Sequence, residues 1–583
     1  MNKIKFHLLS RCALACLFMC SSLMLSAQTD SLNMSVTFDG NRINLLNDAS
    51  KLPNTPNPFE SIVEIPTIKY TLIPNKQQVD IVPAKIKPVK VNVEEKIAKL
   101  YRGYIKAGFG LYTTPLVDLY YTDGRSRDGT WGVKYQHLSS AGGVALEDSI
   151  KDRFSSNEIN LWGRRFLKKH ALQGNFDWKR NVFNYYGWDP ELMPFSADSL
   201  DLQLFNRVGG SLNLKSYHRD SSKVNYEGQV GFFNYRDNFE SSENNIDIQA
   251  HVRRFVDKEL FSVDLKFNYD QFQFIPLDNL NDKMTEVNSI FGIEPKASTI
   301  HENWKVSAGM GIWLDIRSKN PFHFYPLLEA EYSLFDDLFI PYGGVSGGIK
   351  QNTFRALTEE NPWLLRSYEQ LNTNRKLELY GGIRGTISSS TSFNARISRT
   401  RFEDFVFFVN DSSHTGGNQL QAFGIGNGFD IEYDDLTVTS LSGEISINSK
   451  KDFKLFAKGD YFIYTGQKIE EEPWNQPTTR LTLSGSYDFR NKLIVRLDLF
   501  TVGQRKAKSL VPLTADDALL TDKSFYEYKL KGYGDANLGI EYRYTKRLSA
   551  WVQFNNFLAA KYETYKNYRA QRFNAMMGVS YAF

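Results

Sequence analysis

The sequence predicts an all-β protein: a transmembrane antiparallel β-barrel of about 20–22 strands, preceded by a short Pro-rich periplasmic segment. Three observations predict it. The chain ends on a strand whose alternate residues Phe573, Ala575, Met577, Val579, Tyr581 and Phe583 are apolar, with small or polar residues and one Met between them. Aromatics are abundant (31 Tyr, 42 Phe) while mean hydropathy is negative, at −0.41. A helical membrane protein does not combine these, but strands that alternate lipid-facing and water-facing side chains do. Finally, no segment beyond the leader approaches the roughly 18 apolar residues of a spanning helix.

The elements follow in order. Lys3, Lys5 and Arg11 precede the apolar stretch Ala13–Leu25, and Leu25-Ser26-Ala27 ends in small residues. Residues 1–27 thus read as a secretory signal peptide. Cys12, Cys16 and Cys20 all lie within it. Cleavage after Ala27 leaves a chain with neither disulfides nor a thiolate nucleophile. The formal charge of +4 includes the three leader cations, and nothing in the distribution of charge suggests nucleic acid.

Residues 28–100 form a separate Pro-rich segment. Its prolines cluster between Pro53 and Pro88, and Ile68, Tyr70 and Leu72 alternate with Thr67, Lys69 and Thr71. Short extended pieces joined by kinks are expected, with one short helix over Val91–Leu100. Such pieces suit edge pairing with a periplasmic protein partner.

From Tyr101 to Phe583 amphipathic hairpins repeat. Leu481, Leu483, Tyr487 and Phe489 alternate with Thr482, Ser484, Ser486, Asp488 and Arg490; Leu493, Val495, Leu497 and Leu499 follow the Asn491-Lys492 turn. A second hairpin joins Ala536–Tyr544 to Leu548–Phe554 through Thr545–Arg547. Many strands reach about ten residues, enough to cross a tilted barrel wall. Short connections (Asp123–Asp128, Lys168–His170, His218–Ser222, Val256–Lys258, Ser388–Thr391, Ser449–Asp452, Asn491–Lys492, Thr545–Arg547) read as periplasmic turns. Longer ones (Ala141–Ser155, Tyr186–Asp201, Pro276–Thr299, Arg355–Asn374, Asn410–Gly426, Gly466–Pro477) read as outer loops. The tally comes out odd near Asp315–Phe354, where Arg317–Phe322 and Asp336–Leu338 both look like turns, whereas a single-chain barrel is even.

Tyr533–Tyr544, the hairpin from Leu548 into the closing strand, and the opening Gly103-Tyr104-Ile105-Lys106-Ala107-Gly108-Phe109-Gly110 resemble the barrel of TonB-dependent receptors. The resemblance implies an outer-membrane location and receptor-like uptake. It departs from the family before the barrel, where residues 28–100 are too short and Pro-rich for a normal plug domain. Phe583, Tyr581 and Val579 resemble the C-terminal signal by which outer-membrane proteins reach the barrel-assembly machinery.

Motifs that carry chemistry are sparse. Gly344-Val345-Ser346-Gly347-Gly348 matches the hydrolase elbow, but that motif works only at a strand-to-helix turn, and here it sits in a strand pattern. No spacing fits a metal or cofactor site. Asp430, Glu432, Asp434 and Asp435, and the run Glu470-Glu471-Glu472, read as solvated rim. Lys454, Lys458, Asp460, Arg496 and Asp498 are candidate lumen charges that would tune ion selectivity. A barrel of this width needs filling, and Trp363-Leu364-Leu365 is too apolar for a solvated loop, which makes it a candidate occluding element. The expectation is a bacterial outer-membrane barrel, in contact with outer-membrane lipid, that passes a small solute as a receptor-like or channel-type transporter and is not an enzyme. The alternative is a non-transporting barrel that docks partners as an assembly subunit.

Overall fold

A computed structural model describes residues 101–583 apart from 125, 145–151, 188–201, 219, 221, 277–281, 366–368, 412–426, 450–451 and 511–524. The leader, the Pro-rich segment and the helix expected over Val91–Leu100 lie outside the described residues.

Twenty-two antiparallel strands close into one barrel. In chain order they are β1 (Gly103–Gly110), β2 (Thr114–Thr122), β3 (Gly129–Ala141), β4 (Arg153–Phe166), β5 (His170–Asn184), β6 (Leu202–Ser216), β7 (Asn225–Asp237), β8 (Ser242–Val256), β9 (Glu259–Phe274), β10 (Met284–Ile300), β11 (Trp304–Asp315), β12 (Phe322–Tyr332) and β13 (Ile340–Lys350). After them come β14 (Thr373–Ser388), β15 (Thr391–Asp411), β16 (Gly428–Asn448), β17 (Phe453–Thr465), β18 (Thr479–Phe489) and β19 (Leu493–Val502). Two short strands, β20 (Arg505–Leu510) and β21 (Phe525–Leu530), form a hairpin outside the wall, so β19 pairs directly with β22 (Tyr533–Arg543). The wall continues through β23 (Leu548–Asn555), and a second inserted hairpin, β24 (Glu563–Tyr565) with β25 (Tyr568–Arg569), precedes β26 (Asn574–Ala582). Strand β26 pairs with β1 from Tyr104↔Ala582 to Gly110↔Met576, so no edge is left at the closure.

The alternation read from sequence sets the two faces. Leu441, Ile445, Tyr461, Ile463, Leu481 and Leu497 point out and are exposed, as an apolar lipid belt requires. Their neighbours Ser442, Glu444, Asp460, Thr482 and Arg496 point in. This belt on a closed 22-strand barrel makes the protein an outer-membrane barrel.

Two readings of the sequence need correction. Pro276–Thr299 is mostly strand: β10 runs Met284–Ile300 and pairs with β9 along its length. Glu286, Asn288 and Glu294, with Gly292 and Pro295, disguised it as a loop; the three polar residues face inward. The odd tally resolves because both doubtful turns are real, 316–321 at one end of the barrel and 333–339 at the other, and a further turn at 301–303 separates β10 from β11. Turn length does not mark the side strictly, because 111–113 and 238–241 are short connections at the end opposite the termini.

The closing seam shows how side-chain size governs the wall. The Trp551 ring lies inside, across β26 and β1, where a Cβ on Gly108 would come within 2.3 Å of it. Lys106 caps this ring at 4.2 Å from its centroid. Both glycines there, Gly108 and Gly578, are required by the close approach.

Candidate functional site

The interior is most heavily built at the outer mouth, the end opposite the two termini. The hairpin β15–β16 is the longest in the barrel, at 21 residues a strand. Its register shifts between Phe402 and Phe405, where Asp404 takes φ 54°. A bulge of this kind bends a strand pair. Beyond it, Phe407, Phe408 and Phe429 are buried rather than exposed to lipid or water.

The connection from β13 to β14 folds against this hairpin. Thr353 caps a short helix, α1 (Phe354–Glu360), its hydroxyl accepting from the Ala356 amide at 3.2 Å. The helix docks on the inner side of β7–β9: the Phe354 ring stacks on Phe272 of β9 at 4.7 Å, Tyr235 Oη of β7 pairs with Thr358 Oγ1 at 2.9 Å, and the Arg355 amide donates to Glu243 Oε2 of β8 at 2.6 Å. After the helix, Trp363, Leu364 and Leu365 are all buried. The Leu365 amide donates to Phe429 O (2.7 Å) and the Phe429 amide to Trp363 O (3.0 Å), which adds this apolar run to the start of β16.

The β24–β25 hairpin arrives from the opposite quarter of the rim. Its Tyr568 ring stacks on Trp363 at 3.6 Å and its hydroxyl donates to Asn427 O at 2.6 Å. Tyr565 Oη donates to Glu360 O at 3.2 Å. Lys566 Nζ donates to Ser509 Oγ (2.6 Å) and Asn410 Oδ1 (3.2 Å). Arg505 of β20, fully buried, donates through both terminal nitrogens to Thr564 O and Glu563 O at 2.7 Å. The Asn475 amide donates to Lys506 O at 2.7 Å, so the described parts of the four connections 351–372, 466–478, 503–532 and 556–573 interlock.

One contact measures the span. Asn427 Nδ2 donates to Tyr185 O at 3.2 Å. Asn427 leads into β16 and Tyr185 leaves β5, and these strands stand diametrically opposite, eleven places apart either way around the 22-strand wall. Trp363 Nε1 makes a second bridge to Asn184 O at 3.0 Å. Segments rooted on opposite walls thus meet over the lumen.

Two of the acidic residues read as solvated rim, Asp434 and Glu470, are instead buried fasteners, whereas Glu471 is exposed as expected. Asp434 is buried, and its carboxylate accepts the amides of Ile469 (2.9 Å) and Glu470 (2.8 Å). Glu470 is also buried, accepting from Trp474 Nε1 at 2.6 Å and from Lys508 at 3.0 Å. Burial raises the Glu470 pKa, but its hydrogen bonds to Glu432, Trp474 and Lys508 outweigh this and hold it below the usual range. Burial lowers Lys508 less than Glu432 and Glu470 raise it. Sequence alone could not distinguish a solvated acidic run from one facing a buried lysine. No cluster of three or more metal-ligating side chains occurs among the described residues.

The other residues singled out from sequence lie away from this assembly. Lys454, Lys458 and Asp460 are on the inward-facing parity of β17, and Arg496 and Asp498 on that of β19. Lys458 Nζ is 3.8 Å from Asp460, and Arg496 pairs with Glu541 at 3.3 Å. Val579, Tyr581 and Phe583 share the outward face of β26, and Phe583 O accepts the amides of Arg102 and Gly103 at 2.9 Å. Ser346 of the elbow-like motif lies within β13, its hydroxyl donating to Glu378 Oε2 at 3.0 Å, with no helix following the turn that motif requires. The sequence reading passed over the connections 503–532 and 556–573. The run Tyr562, Tyr565 and Tyr568 between two strands was the available signal, since three aromatics at that spacing do not suit a free loop.

No protein-family model matches the chain, and no curated protein matches it in sequence. Solved structures do match its fold. The siderophore receptor PirA from Acinetobacter baumannii superposes with a TM-score of 0.61 at 11% identity, covering 84% of this chain and 81% of that one. The pyoverdine outer membrane receptor FpvA from Pseudomonas aeruginosa PAO1, bound to pyoverdine, gives 0.60 at 13% identity over 84% and 79%. The copper transporter OprC gives 0.58 at 10% identity over 83% and 80%. These neighbours are transport receptors, not enzymes, and the barrel of this chain has the fold of the TonB-dependent receptor barrel.

Proposed function

We propose that this protein is a receptor-like transporter that passes a small solute across the outer membrane, with its outer loops acting as the gate. The observation that carries the reading is the hydrogen bond from Asn427 to Tyr185, between segments of opposite walls. A non-conducting assembly scaffold has no need of a fastened mouth built from four interlocking connections. A wide barrel that must not leak does. The apolar run Trp363-Leu364-Leu365 is the central part of the seal in this reading, and Lys454, Lys458, Asp460, Arg496 and Asp498 line the path below it.

The test is conductance of the full mature chain in a planar bilayer. The wild type should show small, rare openings, and deletion of 354–365 should give a large, steady conductance. A low conductance in that deletion, with the barrel still folded, would transfer the occluding role to residues 28–100 and favour the docking alternative.

A further inference from the structure

One interval of the barrel wall is not zipped. Strands β12 and β13 pair only over Leu328–Glu331 with Tyr342–Val345, four residue pairs, the shortest ladder in the wall. On its other side β12 pairs with β11 from Trp304↔Tyr332 to Leu314↔Phe322, and β13 pairs with β14 up to Lys350↔Thr373. The open stretch, Phe322–Leu327 facing Ser346–Lys350, therefore lies between a continuous β11–β12 ladder and a β13–β14 ladder broken only by a bulge at Gly347. Its chemistry explains the opening. Pro326 has no amide to donate, Gly343, Gly344, Gly347 and Gly348 leave β13 without packing side chains, and β13 bulges toward β14 between Ser346 and Gly348. A Cβ on Gly347 would fall 2.4 Å from the Tyr325 ring, which lies against β13 on the lumen side and donates its hydroxyl to Asn374 there at 2.7 Å.

Unpaired backbone facing hydrocarbon is costly. Yet Phe322 and Phe324 on this stretch are among the most exposed apolar side chains of the wall, at 66% and 62%. Behind them the lumen face is polar: Asn374 contacts His323 Nδ1 at 3.3 Å and donates to Glu403 at 2.9 Å. Two strands away, Arg399 and Arg401 point outward from β15 on the same face as exposed Ile397, and neither has a salt bridge or side-chain hydrogen bond among the described residues.

We propose that the β12–β13 interval is a lateral port through which an amphiphile with one acyl chain and an anionic headgroup passes between lumen and outer leaflet. The chain lies on Phe322 and Phe324, the open backbone edges are met by the polar part, and Arg399 and Arg401 hold the headgroup at the membrane surface. The inference rests on the proposed closure of the mouth, which leaves the side wall as the path of least resistance.

The test uses dodecyl phosphate as the probe and the full mature chain in nanodiscs. An environment-sensitive fluorophore is attached at Ser346→Cys, on the lumen side of the interval, with Leu441→Cys on the lipid face away from it as a control. A saturable response is expected at position 346 only, about fivefold weaker in Arg399→Gln/Arg401→Gln, and absent with neutral dodecyl maltoside. A bismaleimide joining Leu327→Cys to Ser346→Cys should stop the probe reaching a second fluorophore at His323→Cys. Equal responses at 346 and 441, or no response at 346, would overturn the port. Neither result bears on the mouth, which the conductance of the loop deletion tests separately.

Discussion

Replacing Trp363 by Ala should open the outer mouth without unfolding the barrel. The indole is buried and stacks on Tyr568 at 3.6 Å, with Tyr186 edge-on at 5.9 Å and Tyr565 at 6.4 Å. Its Nε1 donates to Asn184 O at 3.0 Å. Truncating a buried Trp costs about 3–5 kcal/mol, including the packing lost around the cavity. All of these partners but Asn184, the last residue of β5, belong to the loop assembly and not to the hydrogen-bonded wall. The loss should therefore fall on loop closure, raising the open-to-closed ratio by about a hundred- to a few-thousand-fold at about 1.4 kcal/mol per tenfold. Trp363→Phe keeps a ring on Tyr568 but loses the bond to Asn184, worth about 1 kcal/mol, and should open the mouth by only about fivefold. Single-channel recordings at equal reconstitution density read these ratios as open probability, and heat-modifiable mobility on a gel verifies that the barrel is intact. If Trp363→Ala stays folded and as silent as the wild type, the loop assembly is not the gate.

Other perturbations separate the remaining parts of the argument. Gly578→Leu places a side chain where a Cβ alone would be 2.0 Å from Ala107 O and 2.6 Å from the Trp551 ring, so the closing seam should fail and the heat-modifiable band should vanish; normal assembly would refute the seam packing. Deleting Phe583 removes its 2.9 Å bonds with Arg102 and Gly103 and an exposed outward aromatic, so less folded protein should reach the membrane, with unchanged conductance per assembled barrel. Asp152, in the 142–152 connection, accepts the Val144 amide at 2.9 Å, but burial raises its pKa from the usual value to about 6. The folded loop binds this proton more tightly than the unfolded chain, so stability should fall as pH rises from about 4 through 6 and stay flat above. Limited proteolysis of that loop across this window should show the trend in wild type and not in Asp152→Asn.

The period-2 alternation determined the barrel by itself, because a strand with one apolar and one polar face has few stable homes, and the terminal run Phe573–Phe583 placed one at the seam. It also marked Trp363-Leu364-Leu365 as unusual for a loop. It could not count strands where polar residues faced inward, as in β10, since a strand rich in Glu and Asn with a Pro resembles a loop until its partner is known. Nor could it show that Asp434 and Glu470 are buried fasteners, because a carboxylate's partners, here the amides of 469–470 and Lys508, are brought together only by the tertiary fold. The bond between Asn427 and Tyr185 is the extreme case. The two residues are far apart in sequence and rooted on opposite walls, and only the bend of the β15–β16 hairpin at Asp404, and the closing of the sheet into a ring, bring them within 3.2 Å.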